Sequence, residues 1–193
     1  MSNKKTKIVM RFRGIEIKLS QLICLALYYG FARYLPVSFA FLLGRPSKWV
    51  RYQLCKRIFK ECGKDVNIER MAMFGSGREL EIGDNSGIGQ YCNVPSNIKI
   101  GRDVMMGPNC YILRQNHSFD RVDIPMRMQG FQSESNVKTV IEDDVWIGRG
   151  VLMTPGRHIS KGTIVGGGAV LCKDFPAYSI VGGNPSRLIR SRK

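Results

Sequence analysis

IGDNSGIGQYCNVPSNIKIGRDVMMGPNCYILRQNH (82–117) places an aliphatic residue at every sixth position: Ile82, Ile88, Val94, Ile100, Met106 and Ile112. The series is due again at Ser118 and fails. It resumes in IEDDVWIGRGVLMTPGRHISKGTIVGGGAVLCKDFP (141–176), at Ile141, Ile147, Met153, Ile159, Val165 and Leu171. The second position is Gly in six of these twelve units, and the fifth is usually small or β-branched, as at Ser86, Cys92, Val104, Cys110, Val151 and Ala169. Less regularly, Ile68, Phe74 and Leu80 continue the fifth-position series upstream.

A period of six matches neither the 3.6 of a helix nor the 2 of a simple strand. It matches a short strand followed by a turn, the hexapeptide β-helix repeat. Three such units make one triangular coil with the aliphatic position inside. Corner glycines supply backbone conformations closed to other residues. Coils stack by backbone ladders about 4.8 Å apart, and the two ends of the stack need caps. Cys92 and Cys110, one coil apart, are expected as stacked core residues rather than a disulfide or a metal pair.

The chain divides into three parts on this reading: a helical extension over 1–62, a β-helix over 63–176 with an inserted loop 118–139, and a C-terminal tail over 177–193. Charge divides it the same way. Positions 1–64 hold 14 Lys and Arg against Glu16 and Glu61, whereas positions 65–193 hold 16 against 13. A general nucleic-acid binder would carry basic charge on its main domain too, so no nucleic-acid partner is expected. The six cysteines, at 24, 55, 62, 92, 110 and 172, show no CxxC and no metal-like grouping. They suit a reducing cytoplasm.

LICLALYYGFA (22–32) and YLPVSFAFLL (34–43) approach the length of a membrane span, but Arg33 and Pro36 interrupt them. Basic residues flank both sides (Lys4, Lys5, Lys7, Arg11, Arg13, Lys18; Arg45, Lys48, Arg51), giving no clear orientation. In PSKWVRYQLCKRIFKECG (46–63), Trp49, Tyr52 or Gln53, Cys55 or Lys56, and Phe59 fall at helical spacing opposite Lys and Arg, with Gly63 as the stop. A basic amphipathic helix with an aromatic edge suits an anionic membrane interface. The alternatives are helices that only cap the β-helix, or a helix that spans the bilayer. The expectation is peripheral attachment, through 1–62, to the inner face of the cytoplasmic membrane.

The inserted loop 118–139 follows directly on His117, one of two histidines in the chain. A long unpatterned insertion in a regular solenoid points to a functional loop. NHSFD, PMRMQGF, VWIGRGVLMTPG and VGGGAVLCKDFPAYSIVGGNPSRLIR resemble the hexapeptide-repeat sugar O-acetyltransferases, which include maltose, galactoside and polysaccharide-modifying enzymes. The resemblance runs over about residues 63–190. It implies a left-handed parallel β-helix, acetyl-CoA as donor, a sugar acceptor, no metal requirement and a homotrimer with its groove between subunits.

It also implies roles. His117 would be the general base, with Asn93, Asn116 and Asp120 on the acceptor side. Trp146, Arg149, Gly167, Cys172, Lys173, Arg187 and Arg190 would line the donor, whose phosphates suit Lys and Arg. Arg149 and Cys172 depart from the small residue and the threonine common in that family. Two histidines are too few for the metal site of a γ-class carbonic anhydrase. An acyl-carrier-protein-dependent acyltransferase and a non-enzymatic β-helix scaffold at the membrane remain as alternatives.

Overall fold

Eleven of the twelve hexapeptides fold as a two-residue strand and a four-residue turn, and the unit at Val94 keeps only a bridge at Asn93. The computed structural model describes residues 9–12, 15–132 and 137–193, the backbone alone for 9–12 and 15–17. It is a parallel β-solenoid of about six turns carrying an N-terminal helical part, as the repeat predicts, and it matches the left-handed β-helix class that the family resemblance implies. Lys4, Lys5, Lys7 and Arg13 lie outside the described residues, as do 133–136 of the insertion.

Three parallel sheets form the faces of the prism. The first stacks Glu61–Cys62, Glu81–Ile82, Lys99–Ile100, Val140–Ile141 and His158–Ile159. The second stacks Met105–Met106, Trp146–Ile147, Ile164–Val165 and Ser179–Gly182, with Asn67–Ile68 and Gly87–Ile88 paired in the coils before them. The third stacks Tyr111–Ile112, Leu152–Met153 and Val170–Leu171, extended by bridges from Met73 to Asn93 and from Asn93 to Tyr111.

The second residue of each strand points inward, so register partners form continuous rows. Ile82, Ile100, Ile141 and Ile159 make one, and Ile88, Met106, Ile147, Val165 and Val181 belong to another, all buried. Cys92 and Cys110 are buried free thiols, and both approach the carbonyl of Gly107, at 3.1 and 3.2 Å. They are stacked core residues.

The corners explain the recurrent glycines. A Cβ on Gly89 would lie 2.3 Å from the Gly107 carbonyl oxygen, and one on Gly107 2.7 Å from the Arg149 nitrogen. Positive φ occurs two positions later, at Tyr91 (56°), Asn109 (60°) and Gly150 (68°). Close approach demands glycine at the first site, while the second tolerates a side chain.

The first coil differs from the upstream expectation. Ile68 pairs with Ile88, and Met73 bridges to Asn93, so Ile68 and Phe74 belong to the inward first-position series. The step from Glu61 to its partner Glu81 is longer than the three hexapeptides that separate Glu81 from its partner Lys99. Two extra residues between Phe74 and Leu80 shift the phase, and only Leu80 keeps the fifth position.

The helical unit caps the prism at this coil. Helix α1 is Leu19–Gly30 and α2 is Gly44–Ile58, with a short 3-10 turn at Ala32–Tyr34 between them. Before α1, Val9–Phe12 pairs antiparallel with Ile15–Lys18. The Tyr28 hydroxyl donates to the Ala72 carbonyl (3.0 Å), and the Tyr29 hydroxyl to that of Gly75 (2.9 Å). Tyr28 and Phe59 pack on Phe74 with ring centroids 4.6 and 4.8 Å away.

The packed face of α2 is not the one its apolar spacing indicates. Ser47, Arg51, Cys55 and Ile58 are buried, while Trp49 is 62% exposed. Arg51, fully buried, donates to the carbonyls of Ile68, Leu35 and Pro36, and its Nη2 lies 3.7 Å from Glu69. Burial works against the Glu69 charge. Even so, hydrogen bonds from the Ser38 hydroxyl, Asn67 and the Ser38 amide hold its pKa below the usual carboxylate value. Gly63 does not end the helix, which stops at Ile58. Gly63 lies in the first prism corner, where a Cβ would meet Asp84.

Candidate active site

The insertion leaves the prism between the third and first faces. Tyr111 pairs with Leu152, a separation well beyond the three hexapeptides of a coil, and the ladder closes over the gap without distortion. At the base of the excursion, residues 116–118 run antiparallel to 130–132. Ser118 N–H donates to Gly130 O (3.0 Å), and Gln132 N–H donates to Asn116 O (3.1 Å). Gln129 ties the outer part together, accepting from the Arg121 amide and donating to the Arg121 and Ile124 carbonyls.

His117 sits in this short ladder, exposed. Its Nδ1 lies 3.3 Å from the Gly130 carbonyl, and its ring stacks on Phe131. A carbonyl can only accept, so Nδ1 carries the proton in the neutral ring and Nε2 keeps its lone pair. Nε2 has no hydrogen-bond partner among the described residues. The imidazole is thus held at one face and one edge, with the basic nitrogen free.

Two clefts flank the base of the excursion. One, about 450 Å³, is lined by Asn116, Gln132, Thr154, Arg157 and Cys172 among others. The other, about 320 Å³, is lined by Asn93, Ser96, Tyr111, Arg114 and Gln115 among others. Amide, hydroxyl and guanidinium groups beside an exposed tyrosine can hydrogen-bond and stack on a polyhydroxylated molecule. Asn116 and Cys172 therefore share a cleft, and Asn93 lies in the neighbouring one. Asp120 is exposed on the outer loop. Lys173, beyond Cys172, extends over the Phe175 ring at 5.5 Å.

The remaining donor-side residues lie elsewhere on the prism. Trp146, half exposed, occupies the second face in a register row with Met105, Ile164, Ile180 and Arg190. Arg190 and Arg187 belong to Arg187–Ser191, which pairs antiparallel with Ser179–Gly182 at the end of that sheet. Arg149 and Gly167 stack in the next corner, where the Gly168 amide donates to the Arg149 carbonyl at 2.7 Å. The chain thus splits its candidate residues between the insertion edge and the second face with its following corner.

Sequence reading missed Gly130 and Phe131 as partners of His117, and Tyr111, Arg114, Thr154 and Arg157 as cleft residues. Only the phrase PMRMQGF pointed toward the first pair; Tyr111 and Arg114 sit at repeat positions that carry no pattern of their own, Thr154 stands at the second position where Gly recurs, and Arg157 breaks the fifth-position series. Among the described residues, no three His, Cys, Asp or Glu side chains group as a metal site.

Comparison with known proteins gives a consistent picture. Residues 80–114 match the bacterial transferase hexapeptide (six repeats) family. A galactoside O-acetyltransferase of Lactococcus lactis is 33% identical over 146 residues, covering 72% of this chain and 66% of that protein. An acetyltransferase-named protein of Saccharomyces cerevisiae is 31% identical over 140 residues, covering 72% and 69%. The matched stretch spans 42% to 69% of the length of the first three curated relatives.

Among solved structures, a maltose O-acetyltransferase from Clostridium difficile 630 superposes with a TM-score of 0.70 at 27% identity, covering 90% of this chain and 87% of that one. A Vibrio cholerae hexapeptide-repeat acetyltransferase, solved with acetyl coenzyme A, gives 0.66 at 25% identity, covering 90% and 85%.

Proposed function

Because the chain belongs to the hexapeptide-repeat sugar O-acetyltransferase family, we propose that it moves an acetyl group from acetyl-CoA to a sugar hydroxyl, with His117 as general base. The observation that carries this reading is the state of His117: Nδ1 is engaged by Gly130, Nε2 has no hydrogen-bond partner among the described residues, and the preceding Gln115 and Asn116 each line a cleft. Nε2 takes the proton of the acceptor hydroxyl as its oxygen attacks the thioester carbonyl. The tetrahedral adduct collapses, the C–S bond breaks, and the departing thiolate receives that proton from the imidazolium. The acetyl ester and the free thiol are the products, with no covalent enzyme intermediate.

Asn93 and Asn116 suit the acceptor side. The acceptor is a saccharide of a polysaccharide precursor or one linked to lipid. Trp146, Arg149, Gly167, Arg187 and Arg190 suit the donor, as do Cys172 and Lys173 near the insertion. A donor touching both groups would lie between two prisms, which favours a homotrimer with sites at its subunit boundaries.

Calorimetry with acetyl-CoA, alongside an acetyl-transfer assay against simple glycosides, tests the reading. The wild type and His117→Ala are expected to bind the donor with similar affinity, and only the wild type to transfer acetyl groups. Absence of binding by both would reject acetyl-CoA as donor. For the shared site, His117→Ala and Trp146→Ala chains refolded together are expected to regain part of the activity each loses alone.

A further inference from the structure

Residues 18–60 form the cap on the prism, and they contain eight Lys and Arg without one Asp or Glu. The same unit exposes an unusual amount of apolar surface. Helix α1 turns Cys24 and Tyr28 into the core, yet Ile23 and Leu27 on the adjacent face, and Phe31 just past its end, are 51%, 49% and 59% exposed. Between the helices, Phe39 is 76% exposed, Phe41 99% and Leu42 79%. Isolated exposed hydrophobics are ordinary. A helix whose apolar surface extends beyond its buried face, followed by near-fully exposed aromatic and aliphatic residues, is not.

We propose that this unit docks the protein on an anionic lipid bilayer, with Phe41 and Leu42 entering the headgroup–acyl boundary. Charge selects the occupant. A second copy would present the same acid-free basic unit and be repelled, whereas anionic lipid satisfies both features of the surface. Arg45, Lys56 and Arg57 are exposed on α2. Lys48 and Arg51, by contrast, are engaged by Asp65 and Glu69. The mode of contact follows from length. No helix among the described residues is long and apolar enough to cross a membrane, and the 12 residues of α1 rise about 18 Å against a core of roughly 30 Å.

The test is co-sedimentation of the full chain with vesicles of equal parts phosphatidylglycerol and phosphatidylcholine, against pure phosphatidylcholine. It reads binding without activity, so its failure is separate from that of the acetyl-transfer reading. The wild type is expected on the mixed vesicles, released by salt and absent from the neutral ones. Phe41→Ser/Leu42→Ser is expected to bind about thirty-fold more weakly, or about 2 kcal/mol. Ile23→Ser/Leu27→Ser gives an independent second variant should the first fail to fold. A wild type that stays in the supernatant overturns the proposal, as does undiminished binding by both variants. It also falls if the variants dissociate an oligomer, which would make the patch a contact between copies.

Discussion

The phenyl ring of Phe131 stacks on the imidazole of His117, with centroids 4.6 Å apart and planes 29° from parallel. Together with the Gly130 carbonyl on Nδ1, it holds the imidazole at one face and one edge. If His117 is the base proposed above, Phe131 positions it without touching the reacting atoms. Phe131→Ala is expected to lower kcat about ten-fold with little change in KM for acetyl-CoA, and Phe131→Tyr to restore it. His117→Ala should cost about 10²- to 10⁴-fold, the range for a lost general base. Steady-state kinetics on the three variants check this, and an equal loss in KM would show that Phe131 serves the donor site instead.

Arg51 joins the helical cap to the first coil through the carbonyls of Leu35, Pro36 and Ile68 and through Glu69. Removing one partner of a buried pair leaves an uncompensated charge, so Arg51→Met is expected to cost about 3–5 kcal/mol. Adding Glu69→Gln should recover part of that loss, with the three carbonyls accounting for the rest. Denaturant unfolding of the single and double variants measures the difference.

Gly89 and Gly150 occupy the same corner type yet should respond differently. An added Cβ at Gly89 meets the backbone of the next coil, whereas at Gly150 it meets nothing within 4 Å. Gly89→Ala is expected to destabilise by about 3 kcal/mol or more as the coils are pushed apart. Gly150→Asn should be near neutral, because Asn109 holds the equivalent positive φ one coil earlier. Thermal melts distinguish the two.

Glu81 receives hydrogen bonds from Lys60 and Lys138, both at 2.9 Å, and these hold its pKa down to about 2. Its folded pKa lies below the unfolded value of roughly 4.3. Its contribution is therefore complete above that value, fades as pH falls through it, and is gone below about 2. Glu81→Gln is expected to melt earlier than the wild type at neutral pH, with the gap closing across that acid window. Since Lys138 returns the insertion to the prism, the variant should also become more sensitive to proteolysis within 118–139.

The hexapeptide period determined the prism because every coil repeats the same local rule: each residue's direction, inward or outward, follows from its place in its own unit. That rule made the twelve units, the stacked Cys92 and Cys110, and the excursion after His117 legible without structure. It could not show the two extra residues between Phe74 and Leu80, which only strand pairing reveals. Nor could it identify the packed face of α2. Arg51 goes in and Trp49 out because the acceptors for Arg51 come from residues 35, 36 and 68, outside any local pattern. The same holds at the site. A histidine at a break in the repeat is visible in one dimension, whereas its setting, stacked on Phe131 and tied to Gly130, depends on a loop folding back over itself, which no periodicity encodes.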